Sequence, residues 1–116
     1  MAVWRLNFAT SSSLSNDPPL PLAARFVAAT NRWSVTFDSV LESGALDAGN
    51  WRIDIVGSQF TATTAIASGK SVSGDSTLGG PGDPSDTVRY TPPPADVLGL
   101  NGVPAAAFSA FPVTVV

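Results

Sequence analysis

The chain has 116 residues, 44% hydrophobic and only 13% charged, so it carries enough apolar surface for one packed domain and lacks the composition of a disordered chain. It contains no cysteine and no histidine, which excludes disulfide staples, thiol nucleophiles, zinc and iron–sulfur sites, and every histidine-based triad. Six basic residues against nine acidic ones leave a net charge of -3, the wrong sign for a nucleic-acid partner.

The opening Met1-Ala2-Val3-Trp4-Arg5 has no basic leader and no apolar stretch, so no secretory peptide is expected. No window reaches the ~20 apolar residues of a membrane span, and no membrane partner is expected. Val3 to Phe8 alternates as a strand would, with Trp4, Leu6 and Phe8 on one face and Val3, Arg5 and Asn7 on the other. Thr10 to Leu22, rich in Ser and holding Pro18, Pro19 and Pro21, reads as a linker. This composition shift divides the chain into an N-terminal arm and linker, 1–22, and a body, 23–116.

In the body, Ala23 to Ala29 is an apolar run taken as a strand, followed by a turn at Thr30-Asn31. Trp33, Val35 and Phe37 then alternate with polar residues, as do Trp51, Ile53 and Ile55, the pattern of antiparallel strands with one buried face. Ser39 to Gly49 connects them, with one helical turn expected around Ala45 to Ala48. A turn at Gly57-Ser58 leads to a Thr-rich strand, Gln59 to Ala67, and Lys70 to Ser76 gives a weaker strand signal. Thr77 to Asp86, with Gly79-Gly80-Pro81-Gly82-Asp83-Pro84, predicts a loop. Thr87 to Tyr90 is a strand stopped by three prolines, Asp96 to Ala110 a long connection, and Phe111 to Val116 the last strand. About seven strands at such spacing predict an all-β Greek-key sandwich. Its expected core is Trp33, Val35, Phe37, Trp51, Ile53, Ile55, Val88, Tyr90, Val113 and Val115.

Two segments carry a family resemblance. Val35-Thr36-Phe37-Asp38, Leu41 and then Gly44-Ala45-Leu46-Asp47-Ala48-Gly49-Asn50-Trp51 resemble the opening of bacterial Ig-like domains of the surface-layer type. Val88-Arg89-Tyr90-Thr91-Pro92-Pro93, with Leu98 to Gly102 and Pro104 to Phe108, resembles their closing segment. The likeness covers roughly residues 23–116. It implies an Ig-like β-sandwich and a habit of adhesion or assembly, as in phage decoration and tail proteins, and it carries over no catalytic residue.

The side chains offer little chemistry. A carboxylate pair for glycoside cleavage would need two acids facing one cleft, yet most of the acids fall in predicted turns. A Ser–Lys dyad would have to use Lys70, the only lysine, in a Ser/Gly-rich stretch that reads as a solvated loop. Calcium could draw on Asp83, Ser85 and Asp86, or on Asp38, Glu42 and Asp47, but neither set has a metal-loop spacing, and no metal or cofactor is assigned. Trp33 and Trp51 could serve a sugar platform, though their alternation places them in the core. The chain is therefore not expected to be an enzyme.

The arm is the remaining feature. Trp4, Leu6 and Phe8 either add an edge strand to their own domain or pair with a neighbouring subunit, with Arg5 beside them. The expected function is a structural subunit of a virion, a decoration or cement protein made in a host cytoplasm. It would bind capsid or tail proteins through Trp4, Arg5, Leu6 and Phe8 and form a homo-oligomer within the assembly, the Gly79 to Asp86 loop pointing outward. The alternative is a carbohydrate- or cell-surface-binding adhesion module.

Overall fold

A computed structural model of the chain describes residues 17–92 and 96–116. The expected strand Val3 to Phe8, and with it Trp4, Arg5, Leu6 and Phe8, lies outside the described residues. The fold is all-β. Its strands are β1 (Pro21–Val27), β2 (Arg32–Phe37), β3 (Gly44–Ala45), β4 (Trp51–Ile55), β5 (Ser58–Ala62), β6 (Ile66–Ser68), β7 (Ser71–Pro81), β8 (Thr87–Tyr90), β9 (Phe108–Pro112) and β10 (Thr114–Val115).

Together these ten strands form one nearly barrel-shaped sheet, in the order β10-β1-β2-β7-β5-β4-β8-β9, with β6 on β7 and β3 on β6. One strand, β7, joins its halves. The first half of β7 pairs with β2 and β6, and its second half pairs with β5. On the other side the chain leaves β9, which pairs with β8, and crosses at Val113 to β10, which lies parallel to β1. The register there is Arg25↔Thr114 and Phe26↔Val115, extended by Val116 N–H to the Phe26 carbonyl (2.9 Å).

The alternations in β2, β4 and β8 put Trp33, Val35, Phe37, Trp51, Ile53, Val88 and Tyr90 in the core, as the sequence predicts. Trp51 joins the aromatic side chains, stacked on Tyr90 at 4.5 Å and tilted against Trp33 at 4.9 Å. Such pairs contribute about 0.5–1.5 kcal/mol each beyond their buried area. Ile55, at the end of β4, and Val113, between β9 and β10, are only partly buried, and Val115 is 38% exposed because β10 is an edge strand. Phe26, Leu41, Val72 and Val97 take up the core beside the expected residues.

Several expectations are corrected. Pro21 and Leu22 belong to β1 and not to the linker, with Leu22 displaced by a bulge between Pro21 and Ala23. The helical turn is a 3-10 turn at Ala48–Asn50, three residues late, because Asp47 caps it by accepting from Gly49 N–H (2.9 Å). The Thr-rich run splits into β5 and β6. The expected loop from Thr77 is strand as far as Pro81, and the final strand is divided between β9 and β10.

Gly74, in the middle of β7, explains how β5 and β6 can crowd that strand. A Cβ there would overlap the Thr64 carbonyl oxygen and lie 2.6 Å from its carbon, so only glycine admits the crossing segment. Thr64 Oγ1 in turn accepts from Asp75 N–H (2.8 Å), and Thr63 N–H donates to the Asp75 carbonyl (2.9 Å).

Candidate interaction surface

At the end of the sheet where residue 17 joins β1, the segment 17–20 is fastened by side chains from two connections. Asp38 holds Leu20 twice: its carboxylate accepts from Leu20 N–H (3.0 Å) and its own N–H donates to the Leu20 carbonyl (2.9 Å). Asn101 Nδ2 donates to the Asp17 carbonyl (3.2 Å), and Pro19 is buried beside Gly99. The connection 97–105 is fixed beneath them by Leu100 N–H to the Val40 carbonyl (3.1 Å) and Glu42 N–H to the Leu98 carbonyl (2.8 Å).

These bonds leave three apolar side chains facing water at one end of the molecule: Leu20 (52% exposed), Val40 (41%) and Leu100 (67%). Backbone bonds tie Leu20 to Asp38 and Leu100 to Val40, so the three are carried on one bonded unit next to the start of the described chain. Exposed apolar side chains carried on one bonded unit make that unit a candidate contact surface. No sequence signal pointed to it, because Leu20, Val40 and Leu100 stand in three separate connections.

Below this surface Tyr90 anchors the same connection to the core. Its hydroxyl oxygen accepts from Val97 N–H (2.8 Å), with both residues fully buried. Burial pushes the Tyr90 hydroxyl pKa above its usual value of 10.0, against the stabilising backbone donor at Val97. Beside it a concavity of about 200 Å³ is lined by Glu42, Ser43, Leu46, Asp96 and Leu98. Asp96, which sequence reasoning left as a loop acid, is its organiser: Oδ2 accepts from Asp47 N–H (3.0 Å) and from Asn50 Nδ2 (3.1 Å).

The other acids weighed from sequence are spread around the sheet. Asp38 is committed to Leu20, Asp47 to the 3-10 turn, and Asp86 accepts from Val56 N–H (2.9 Å). Among the described residues no group of three acids could hold a metal ion. Asp54 is buried on the outer face of β4, accepting from Arg52 Nε (3.2 Å) and Nη2 (3.1 Å). Lys70 stands in the exposed turn before β7. Trp33 and Trp51 are buried, so neither presents a ring for sugar stacking. No described helix is long and apolar enough to cross a membrane.

The segment Gly79 to Asp86, expected to point outward, is folded against the sheet. Gly79 to Pro81 are strand, and Gly82 N–H donates to the Gly57 carbonyl (2.8 Å) while Gly57 N–H donates to the Asp83 carbonyl (3.0 Å). Gly82 packs so closely on Asp54 and Ser58 that a Cβ would have no room. Comparison with models of protein families, with curated proteins and with solved structures finds no match for the chain.

Proposed function

We propose that this chain is a non-enzymatic structural subunit, most concretely a decoration or cement protein of a virion, that attaches to a capsid or tail lattice through Trp4, Arg5, Leu6 and Phe8. The observation that carries this reading is the exposed Leu20, Val40 and Leu100 surface at the end of the body that receives the arm. An apolar, alternating arm sequence and an apolar contact surface next to its attachment point would together bury one continuous interface.

The Ig-like reading has its own support. One half of the sheet follows the order β1-β2-β7-β6 and the other β5-β4-β8-β9, with the first strand parallel to the last. This order, with its two halves bridged by β7, is compatible with a Greek-key sandwich and supports that reading. A buried Trp on β4 and a Tyr on β8 that binds a backbone N–H are in keeping with it.

The test is size-exclusion chromatography with light scattering on the full chain and on a variant carrying Trp4→Ser, Leu6→Ser and Phe8→Ser. The expected result is loss of oligomer mass with an unchanged thermal midpoint. A variant that unfolds would place the three side chains in the domain's own core and overturn the arm reading.

A further inference from the structure

Val56 and Gly57 form the two-residue tip between β4 and β5, closed by the Ile55↔Ser58 pair. Both have positive φ, 46° and 85°, as a tight hairpin of this kind demands. Asparagine, aspartate and glycine suit the first position. A β-branched valine there is a backbone outlier that stores strain, and such strain gathers at functional positions. Val56 gains nothing from the core in return, being 75% exposed.

The tip is also held rigid. Val56 N–H is bonded to the Asp86 carboxylate, Gly57 N–H to the Asp83 carbonyl and Gly82 N–H to the Gly57 carbonyl. Beside it the Asp83 carboxylate is 58% exposed and only loosely paired with Arg89, at 3.8 Å. The tip is a fixed apolar knob with a negative flank.

A complementary shape lies on the outer face of β10, β1 and β2. A concavity of about 340 Å³ is lined by Ala23, Arg25, Ser34, Thr36, Thr114 and Val116. Its small side chains leave room for a branched aliphatic group, and Arg25 is its one charged residue. Among the described arginines, Arg32, Arg52 and Arg89 pair with Asp75, Asp54 and Asp83, whereas Arg25 has no ion pair within the described residues.

We propose that these two surfaces are the halves of one contact between copies of this chain. The Val56 tip of one copy seats in the β10–β1–β2 concavity of the next, and Asp83 faces Arg25 across the junction. The proposal rests on the reading of the chain as an assembly subunit and names the contact between neighbours. Because the two surfaces differ, the contact runs head to tail and either closes as a ring or continues as a lattice. Each contact is small and weak, and strength comes from the number of copies held together.

The absence of cysteine makes the test direct. Full-length Val56→Cys is mixed with full-length Ala23→Cys under a mild oxidant, with Ser68→Cys, exposed on β6 on the far side of β7 from β2, as the control recipient. The expected result is several-fold more disulfide-linked Val56→Cys/Ala23→Cys pair than control pair. The excess should be lost when Arg25→Glu is added to the recipient or when salt is raised. Equal linking to both recipients, or a dominant Val56→Cys pair with itself, overturns the proposal.

A companion measurement is sedimentation equilibrium of Val56→Asn, which suits the turn and so keeps the fold. It should lower self-association at least several-fold, and unchanged association overturns the proposal. Repeating the cross-link with Trp4, Leu6 and Phe8 changed to Ser separates the two readings. Linking that persists there shows the tip contact to be independent of the arm. Linking lost with the arm changes alone assigns association to the arm and overturns the tip contact.

Discussion

Replacing Tyr90 by Phe removes one oxygen and almost no volume, so it isolates the bond between the core and the 97–105 connection. The hydroxyl is the acceptor for Val97 N–H at 2.8 Å, and neither residue is reached by water. Without it the amide is buried and unpaired, which costs about 1–3 kcal/mol, well above the net worth of an ordinary hydrogen bond. A loss near 2 kcal/mol in a domain of this size lowers the thermal midpoint by about 10 °C. Urea unfolding followed by tryptophan fluorescence, which includes the buried Trp33 and Trp51, would measure it. The same residue carries a pH signature. Its pKa is raised by burial in the folded state, so its contribution is complete below the unfolded pKa of about 10 and is lost as pH climbs through the folded value. The wild type should lose stability above about pH 10, and the difference from Tyr90→Phe should narrow there. A Tyr90→Phe variant within 0.5 kcal/mol of wild type at neutral pH, roughly the scatter of surface substitutions, would refute the reasoning.

Other substitutions follow from the same geometry. Gly74→Ala must displace the Thr64 backbone and should cost about 3 kcal/mol or more, with calorimetry as the check. Trp33→Phe should cost more than Trp51→Phe, although both rings are buried. The Trp33 indole N–H donates to the Asp75 carbonyl at 3.1 Å, a bond lost in Phe although Thr63 N–H still serves that oxygen. The Trp51 N–H has no partner among the described residues, so removing it forfeits no bond and relieves a buried unsatisfied donor. Paired denaturation curves would show the order. Arg32→Ala should change stability by less than about 1 kcal/mol, since its pair with Asp75 is half exposed on both sides. A salt titration of the two proteins would confirm how weak the pair is.

The parts of the fold visible in the sequence were those where one strand advertises its own buried face. Trp33/Val35/Phe37 and Trp51/Ile53/Ile55 did so, and β2 and β4 stand where their alternation put them. β7 did not, because its inward positions are Val72, Gly74 and Ser76, and its far half runs through Gly79-Gly80-Pro81. That strand is held by neighbours on both edges more than by its own side chains, and pairing of this kind leaves little trace in composition. The β4–β5 turn was placed one residue late because valine is not a turn residue, and the displacement is itself the sign of something unusual at Val56. The candidate contact surface was hidden for another reason: Leu20, Val40 and Leu100 come onto one bonded unit only when 17–20 and 97–105 are fastened to the connection that holds Asp38 and Val40.

The parallel pairing of β1 with β10 has a consequence for how the molecule is made. The first strand of the body finds its outer neighbour only at Thr114 and Val115, almost the whole length of the domain later. During synthesis β1 and β2 can close as a hairpin early, yet the edge at Arg25 and Phe26 must wait until Thr114 and Val115 have been translated. Loop closure over such separations is slow, so the body should fold late and as one cooperative unit, on a scale of milliseconds to seconds. The concavity around Arg25, which needs Thr114 and Val116 for one wall, exists only after that last step. The proposed contact between copies would therefore have to wait until each chain has finished folding.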